Sequence, residues 1–138
     1  MEVYSASDLS ALPTYEEFMA QMGNIYGHCA GMLGQDRFFV VKVGEIRDKQ
    51  TGVYRNFVGD TVKVLTNLGL KYYNEIILLN SVGTASMRAS QAFLNRKVVK
   101  LHQNLLVFYK GDLKNLQSNF KKLGDLALFK EQEQRGLF

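Results

Sequence analysis

The chain has 138 residues, 46% of them hydrophobic and 22% charged, with one proline, one cysteine and a net charge of +4. That length suits one domain rather than two, and the balance excludes wholesale disorder or a linker-dominated chain. No apolar run approaches the ~20 residues of a membrane span, and a lone Cys29 excludes a disulfide framework or a multi-cysteine zinc site.

The opening MEVYSASDLS has two acids and no basic residue, unlike a secretory signal. Asp8, Ser10 and Pro13 read as irregular chain. Thr14 and Glu17 have capping-box spacing, so a helix is expected to start there. Tyr15, Phe18, Met19, Met22, Ile25, Tyr26, Cys29 and Leu33 then recur at three- and four-residue steps, the stripe of a packed helix. Gly34 reads as a left-handed stop. Gly23, Gly27 and Gly31 stack on one side, which allows either close backbone packing or simple helix weakness.

Phe38 to Val43 (FFVVKV) is expected to be a strand covered on both faces. GEIRDKQTGVYRN is polar and turn-rich, with Gln50-Thr51-Gly52 as its tip. Val58, Val62, Leu65 and Leu68 predict a second helix over 57–68, stopped by Gly69. Lys71 to Leu79 reads as a second strand with IILL as a buried centre. Asn80 to about Gln103 reads as a long connection, Asn104 to Tyr109 as a third strand, and Asp112 as the cap of a last helix carrying Leu113, Leu116, Phe120 and Leu123. Alternating buried strands and amphipathic helices predict an α/β layered fold. Three apolar strands are few for such a sheet, which wants further strands beside them.

The residues suggest little catalysis. No phosphate-binding glycine loop is present, and His28 and His102 have no metal-ligand spacing. Cys29, on the apolar stripe, reads as a core thiol. Glu45, Asp48 and Asp60 read as surface charges. The most specific stretch is Ile76 to Gly111, which contains no Asp or Glu but holds Arg88, Arg96, Lys97, Lys100 and Lys110. Phe93 lies among these charges, and His102, Gln103 and Asn104 stand before the last strand. Such a stretch fits contact with a nucleic-acid backbone. The alternative is a loop made soluble by lysine and arginine.

Three blocks carry a resemblance: EVYS…DLS…YEEF, DRFFVVKVGEIRDKQTGVYRNFVGDTVKV and YYNEIILLNSVGTASMRASQAF…RKVVKLHQNLLVFYKGD. Together, over residues 2 to about 114, they resemble the C-terminal half of phage and bacterial S-adenosylmethionine-dependent DNA amino-methyltransferases, which modify adenine N6 or cytosine N4. The resemblance implies a partial class I methyltransferase (Rossmann-like) sheet of about three strands with flanking helices, in one partial domain over 1–138. Its strands would be the fifth, sixth and seventh of that sheet, the last inserted antiparallel between the other two. The family's Pro-Pro-Tyr catalytic motif and donor-binding segment have no counterpart here; the only proline, Pro13, lies in Leu-Pro-Thr. No catalytic, cofactor-binding or metal residue is therefore assigned.

By the same resemblance, Tyr4, Ser5, Gly44, Glu45 and Arg47 border the target-base pocket, with Tyr4 as the one aromatic available for stacking. Arg88, Arg96, Lys97, Lys100 and His102 fall to DNA contact. S-adenosylmethionine is implied as the family's cofactor but is not expected to bind this chain alone. DNA is the expected partner, in the cytoplasm of a bacterial or phage-infected cell, with no membrane. Phe38 to Val43 would be an open edge. It would pair with another copy, a separately encoded N-terminal half, or the chain's own N-terminal segment. The function implied is a C-terminal methyltransferase part, active only with the missing half. The alternative is a catalytically inactive DNA- or protein-binding module.

Overall fold

A computed structural model of the chain describes Leu9 and residues 12–120. Thr14 caps α1 (Tyr15–Met32), its hydroxyl accepting from the Glu17 amide, as the capping-box spacing predicts. The helix ends without a left-handed glycine. Leu33 is extended, and the left-handed residue is Asp36, with φ 59°. Gly34 is thus not the stop. The Lys110 ammonium instead donates to the Ala30 and Leu33 carbonyls, both at 2.6 Å, placing a cation on the negative end of the helix dipole. α2 (Phe57–Asn67) is capped by the Asn56 side chain and followed by Gly69 at φ 89°, the expected stop.

β1 (Arg37–Val43), β4 (Lys71–Leu79) and β5 (His102–Lys110) form one sheet in the order β1-β5-β4. β5 pairs antiparallel with both neighbours, from Arg37–Lys110 to Val43–Asn104 on one side and from Lys71–Tyr109 to Leu79–His102 on the other. A bulge at Tyr73 interrupts the second ladder. β1 and β4 therefore run the same way, with the last strand reversed between them. This is the mixed α/β arrangement expected of a partial methyltransferase sheet. A second, two-stranded ladder, β2 (Ile46–Arg47) with β3 (Tyr54–Arg55), builds a small hairpin in the segment expected to be loop, with its turn over the expected tip.

α1 and α2 cover one face of the sheet. Ala30, Val41, Val43, Leu65, Leu70, Leu106 and Phe108 form the core, with Tyr26, Phe39, Phe57, Val58 and Val62 packed around it. Each fully buried large side chain contributes about 1.5–3 kcal/mol relative to exposure. Gly23 and Gly27 face α2: a side chain's first carbon there would stand 3.4 Å from Val64 or 3.5 Å from Leu68, an ordinary contact distance. Gly31 faces open space, so packing does not require glycine at any of the three.

The opposite face is covered at one end only. There Phe120 meets Phe38 and Tyr109, and Tyr109 donates to Asp36 at 3.0 Å while accepting from Asn119 at 3.1 Å. This corrects two expectations. β1 is covered on one face, not two: Val41 and Val43 are buried while Val40 on the other face is 55% exposed. The IILL of β4 is not a buried centre, since every residue of that strand is exposed. β4 lies at the sheet edge. The core draws Val41 and Val43 from β1 and Leu106 and Phe108 from β5, and nothing from β4.

The long connection is not all loop. A 3-10 turn (Val82–Thr84) leads into α3 (Ala85–Leu94), and β5 begins at His102 rather than Asn104. Among the described residues, the last helix consists of a 3-10 turn at Leu113–Asn115 leading into α4 (Leu116–Asn119). Leu123 lies outside the described residues. Cys29 is a free, half-buried thiol on α1.

Candidate functional site

Because β1 and β4 run together and β5 runs back, the ends of β1 and β4 meet the start of β5 at one end of the sheet. Polar residues at such strand ends are well placed to line a cleft. Here a cleft of about 620 Å³ opens. Glu45, Arg47 and Tyr54 line it from the hairpin side, Val58 from α2, and Lys100, His102 and Asn104 from the segment that enters β5. Gly44 follows β1 beside the Gln103 side chain, whose amide nitrogen would lie 3.9 Å from an added Cβ, an ordinary contact.

The floor of the cleft is a polar chain. Asn104, 7% exposed, accepts from the Lys100 ammonium at 2.9 Å and donates to the Glu75 carboxylate. A buried amide is satisfied from both sides this way, and its bonds to charged groups are the stronger kind. Arg88 ties in from α3, donating to the Lys100 carbonyl at 3.5 Å. On the opposite wall the Arg47 guanidinium lies over the Tyr54 ring, 4.8 Å from its centroid, a cation–π contact that fixes both side chains.

The hairpin carrying Arg47 and Tyr54 is held by one carboxylate. Asp48 accepts from the Thr51 and Gln50 amides at 2.8 and 3.0 Å and from Arg55 at 2.9 Å. The Thr51 hydrogen bonds, with help from Arg55, lower its pKa from 3.8 to about 2. Arg55 also lies over the Tyr15 ring at 5.0 Å, and Tyr15 donates to Asp60 at 2.8 Å. Burial and that donation to a carboxylate raise the Tyr15 phenol well above its ordinary value. Asp48 and Asp60 are thus structural partners rather than free surface charges. A second cleft, of about 510 Å³, lies beyond Tyr54, between the hairpin and the starts of α1 and α2.

Of the residues expected to matter, Glu45, Arg47, Lys100 and His102 line the first cleft; Gly44 is next to Glu45 in the chain but is not part of the lining. Arg88 braces it from behind. Arg96 and Lys97 stand outside it, exposed at the end of α3. There Arg96 donates its amide to Phe93 and Lys97 to Ala92, both at 2.9 Å, closing the helix with Arg96 at φ 55°. This left-handed position usually holds glycine. Tyr4 and Ser5 lie outside the described residues. Tyr54, a wall of both clefts, is not among the expected residues; a tyrosine in a polar loop gives no periodic signal, and only the hairpin turns it inward. Among the described residues, no group of three or more His, Cys, Asp or Glu could hold a metal, and no helix is long and apolar enough to cross a membrane.

No family model matches the chain, and no curated protein is significantly similar to it. Solved structures do match. A protein of Thermus thermophilus, provisionally assigned as a DNA modification methylase, superposes in its complex with S-adenosyl-L-methionine with a TM-score of 0.54, at 16% identity, over 71% of this chain and 39% of that one. Another structure of the same protein gives the same score and identity over 80% of this chain and 43% of that one. The chain spans about two fifths of the length of these structures. At that identity the likeness establishes the fold alone: the chain is folded like part of that protein.

Proposed function

We propose that residues 1–138 are a single partial methyltransferase-like domain, the C-terminal part of a DNA N-methyltransferase acting on adenine N6 or cytosine N4. It contributes fold and contacts to DNA and the target base, and is active only with an N-terminal half that brings the methyl donor. The observation that carries this reading is the strand-end cleft. It combines an aromatic wall at Tyr54, hydrogen-bonding groups at Glu45, His102 and Asn104, and cations at Arg47 and Lys100, and it continues into a segment with no acidic residue from 76 to 111. A base taken out of the duplex needs stacking and polar edges, and its phosphates need cations. The likeness to a methylase fold supports the same reading.

The cleft does not suit S-adenosylmethionine itself. The donor carries a sulfonium cation, whereas the lining holds Arg47 and Lys100 against the single carboxylate of Glu45. The donor falls to an N-terminal half. That half has an edge to join: among the described residues, β1 pairs on one side only, and a free apolar edge is a site of association. Self-association through Phe38 to Val43 would use the same edge.

Duplex binding tests the proposal. The chain is expected to bind DNA more weakly as salt rises. Arg96→Gly with Lys97→Gln should cut the slope of log K on log salt by about two, roughly one for each lost phosphate contact. Because glycine suits the left-handed position of Arg96, this variant keeps the fold. An unchanged slope removes Arg96 and Lys97 from the interface. Tight binding of S-adenosylmethionine by the chain alone would overturn the division into halves.

A further inference from the structure

The end of α3 carries apolar side chains that the fold does not use. Phe93 and Leu94 are 71% and 74% exposed, and Val98, just past the turn, is 86% exposed. Exposed apolar residues scattered singly need no explanation, but a contiguous group does. Here the group surrounds two cations: Arg96 and Lys97 stand between Leu94 and Val98 in the chain. The tip is also rigidly presented, because the Arg96 and Lys97 amides fold back on Phe93 and Ala92. The segment then runs directly into the cleft wall formed by Val98 to His102.

We infer that the end of α3 is a wedge for duplex DNA: Phe93 and Leu94 enter between neighbouring base pairs while Arg96 and Lys97 hold the flanking phosphates. This rests on the DNA-binding reading above and adds the means by which a base reaches the cleft. Charge selects the occupant. An apolar tip followed in the chain by Arg96 and Lys97, in a segment free of carboxylates from 76 to 111, complements a polyanion with stacked apolar planes. Protein interfaces, by contrast, are depleted in lysine around their apolar anchors. Proteins that kink DNA insert Phe or Leu at unstacked steps. The adjacent cleft, with Tyr54 as a stacking wall, would receive the displaced base.

The experiment uses the full chain and duplexes carrying 2-aminopurine, whose fluorescence rises when it leaves the stack. The wild type should bind and raise the emission several-fold. Phe93→Ala with Leu94→Ala should abolish the rise while affinity falls by about tenfold or less and the salt slope is kept. Phe93→Trp should retain the rise, and circular dichroism melting should be unchanged in all variants, since these side chains are exposed. Binding without any rise overturns the wedge but leaves the DNA reading standing, as does a rise that survives the double alanine variant. Absence of DNA binding overturns both. Tighter binding to vesicles of phosphatidylglycerol and phosphatidylcholine than to DNA, lost in the double variant, overturns the wedge in favour of a lipid surface.

Discussion

β4 and β5 are neighbours of equal length, nine residues each, and both are rich in large apolar side chains. β5 buries Asn104, Leu106, Phe108 and Tyr109 almost completely, whereas every residue of β4 is exposed. Their own sequences do not explain the difference; their places in the sheet do. β5 has a strand on each side and helices on one face, while β4 gives no residue to the core; β1 is an edge as well yet gives Val41 and Val43, so the cover over a strand decides, not edge position alone. Apolar content records what a strand is suited to be buried against, and burial itself depends on what lies beside it. IILL on an open edge is surface suited to further cover.

The comparison breaks most visibly under truncation of side chains. Phe108→Ala should cost about 3–5 kcal/mol, the usual range for a buried aromatic, and leave the isolated chain at the limit of folding. Ile76→Ala, one strand over and 51% exposed, should cost about 0.5 kcal/mol or less. Urea unfolding of both variants measures the contrast. A cost at Ile76 approaching that at Phe108 would mean that β4 is covered in solution.

Asn104 sharpens the same comparison, since it is the point where buried β5 reaches across to exposed β4. It joins Lys100 to Glu75. Asn104→Ala removes the bridge and leaves both charges without this partner, an expected loss of about 1–3 kcal/mol. A Glu75→Ala variant, which removes the acceptor, should couple to it in a double-mutant cycle, because the two share one hydrogen bond. Additive costs would show that the bridge contributes nothing to holding the strands together.

What can be read in the sequence follows the same division. Elements whose signals are local and whose partners are near are legible: the Thr14 cap, the α1 and α2 stripes, the Gly69 stop, and the three strands. The reversed last strand between two parallel ones follows from the resemblance rather than from periodicity, which is silent on strand order. The cover over each strand is not legible, because an apolar run reads alike whether a helix lies on it or not. α3 escapes for a related reason. Its large apolar residues, Met87, Phe93 and Leu94, are exposed and of its apolar residues only small alanines are half-buried, so no strong stripe marks it, and Arg96 stands where a glycine would have signalled its end. Of the residues lining the candidate cleft, Glu45, Arg47, Lys100 and His102 are ones the resemblance singles out, whereas Tyr54 depends on a two-residue ladder too short to leave a pattern.

The smallest expected effect concerns the hairpin, which differs from both strands in being held by polar contacts rather than by burial. Asp48 gathers the turn, and its pKa is lowered from 3.8 to about 2. A carboxyl held below its unfolded value stabilises the fold while ionised. Its contribution is therefore complete above pH ~4 and is lost as pH falls from there through the folded value of about 2. The Tyr54 ring resonances, which report the contact with Arg47, should shift across that window in the wild type. In Asp48→Asn, which has no carboxyl to titrate, they should stay flat. The Phe108 resonances should not move in either protein over the early part of the titration, because β5 is held by apolar contact. A simultaneous shift of Tyr54 and Phe108 would mean that hairpin and sheet melt as one unit, and that the contrast between polar and apolar support does not divide the molecule at Gly44.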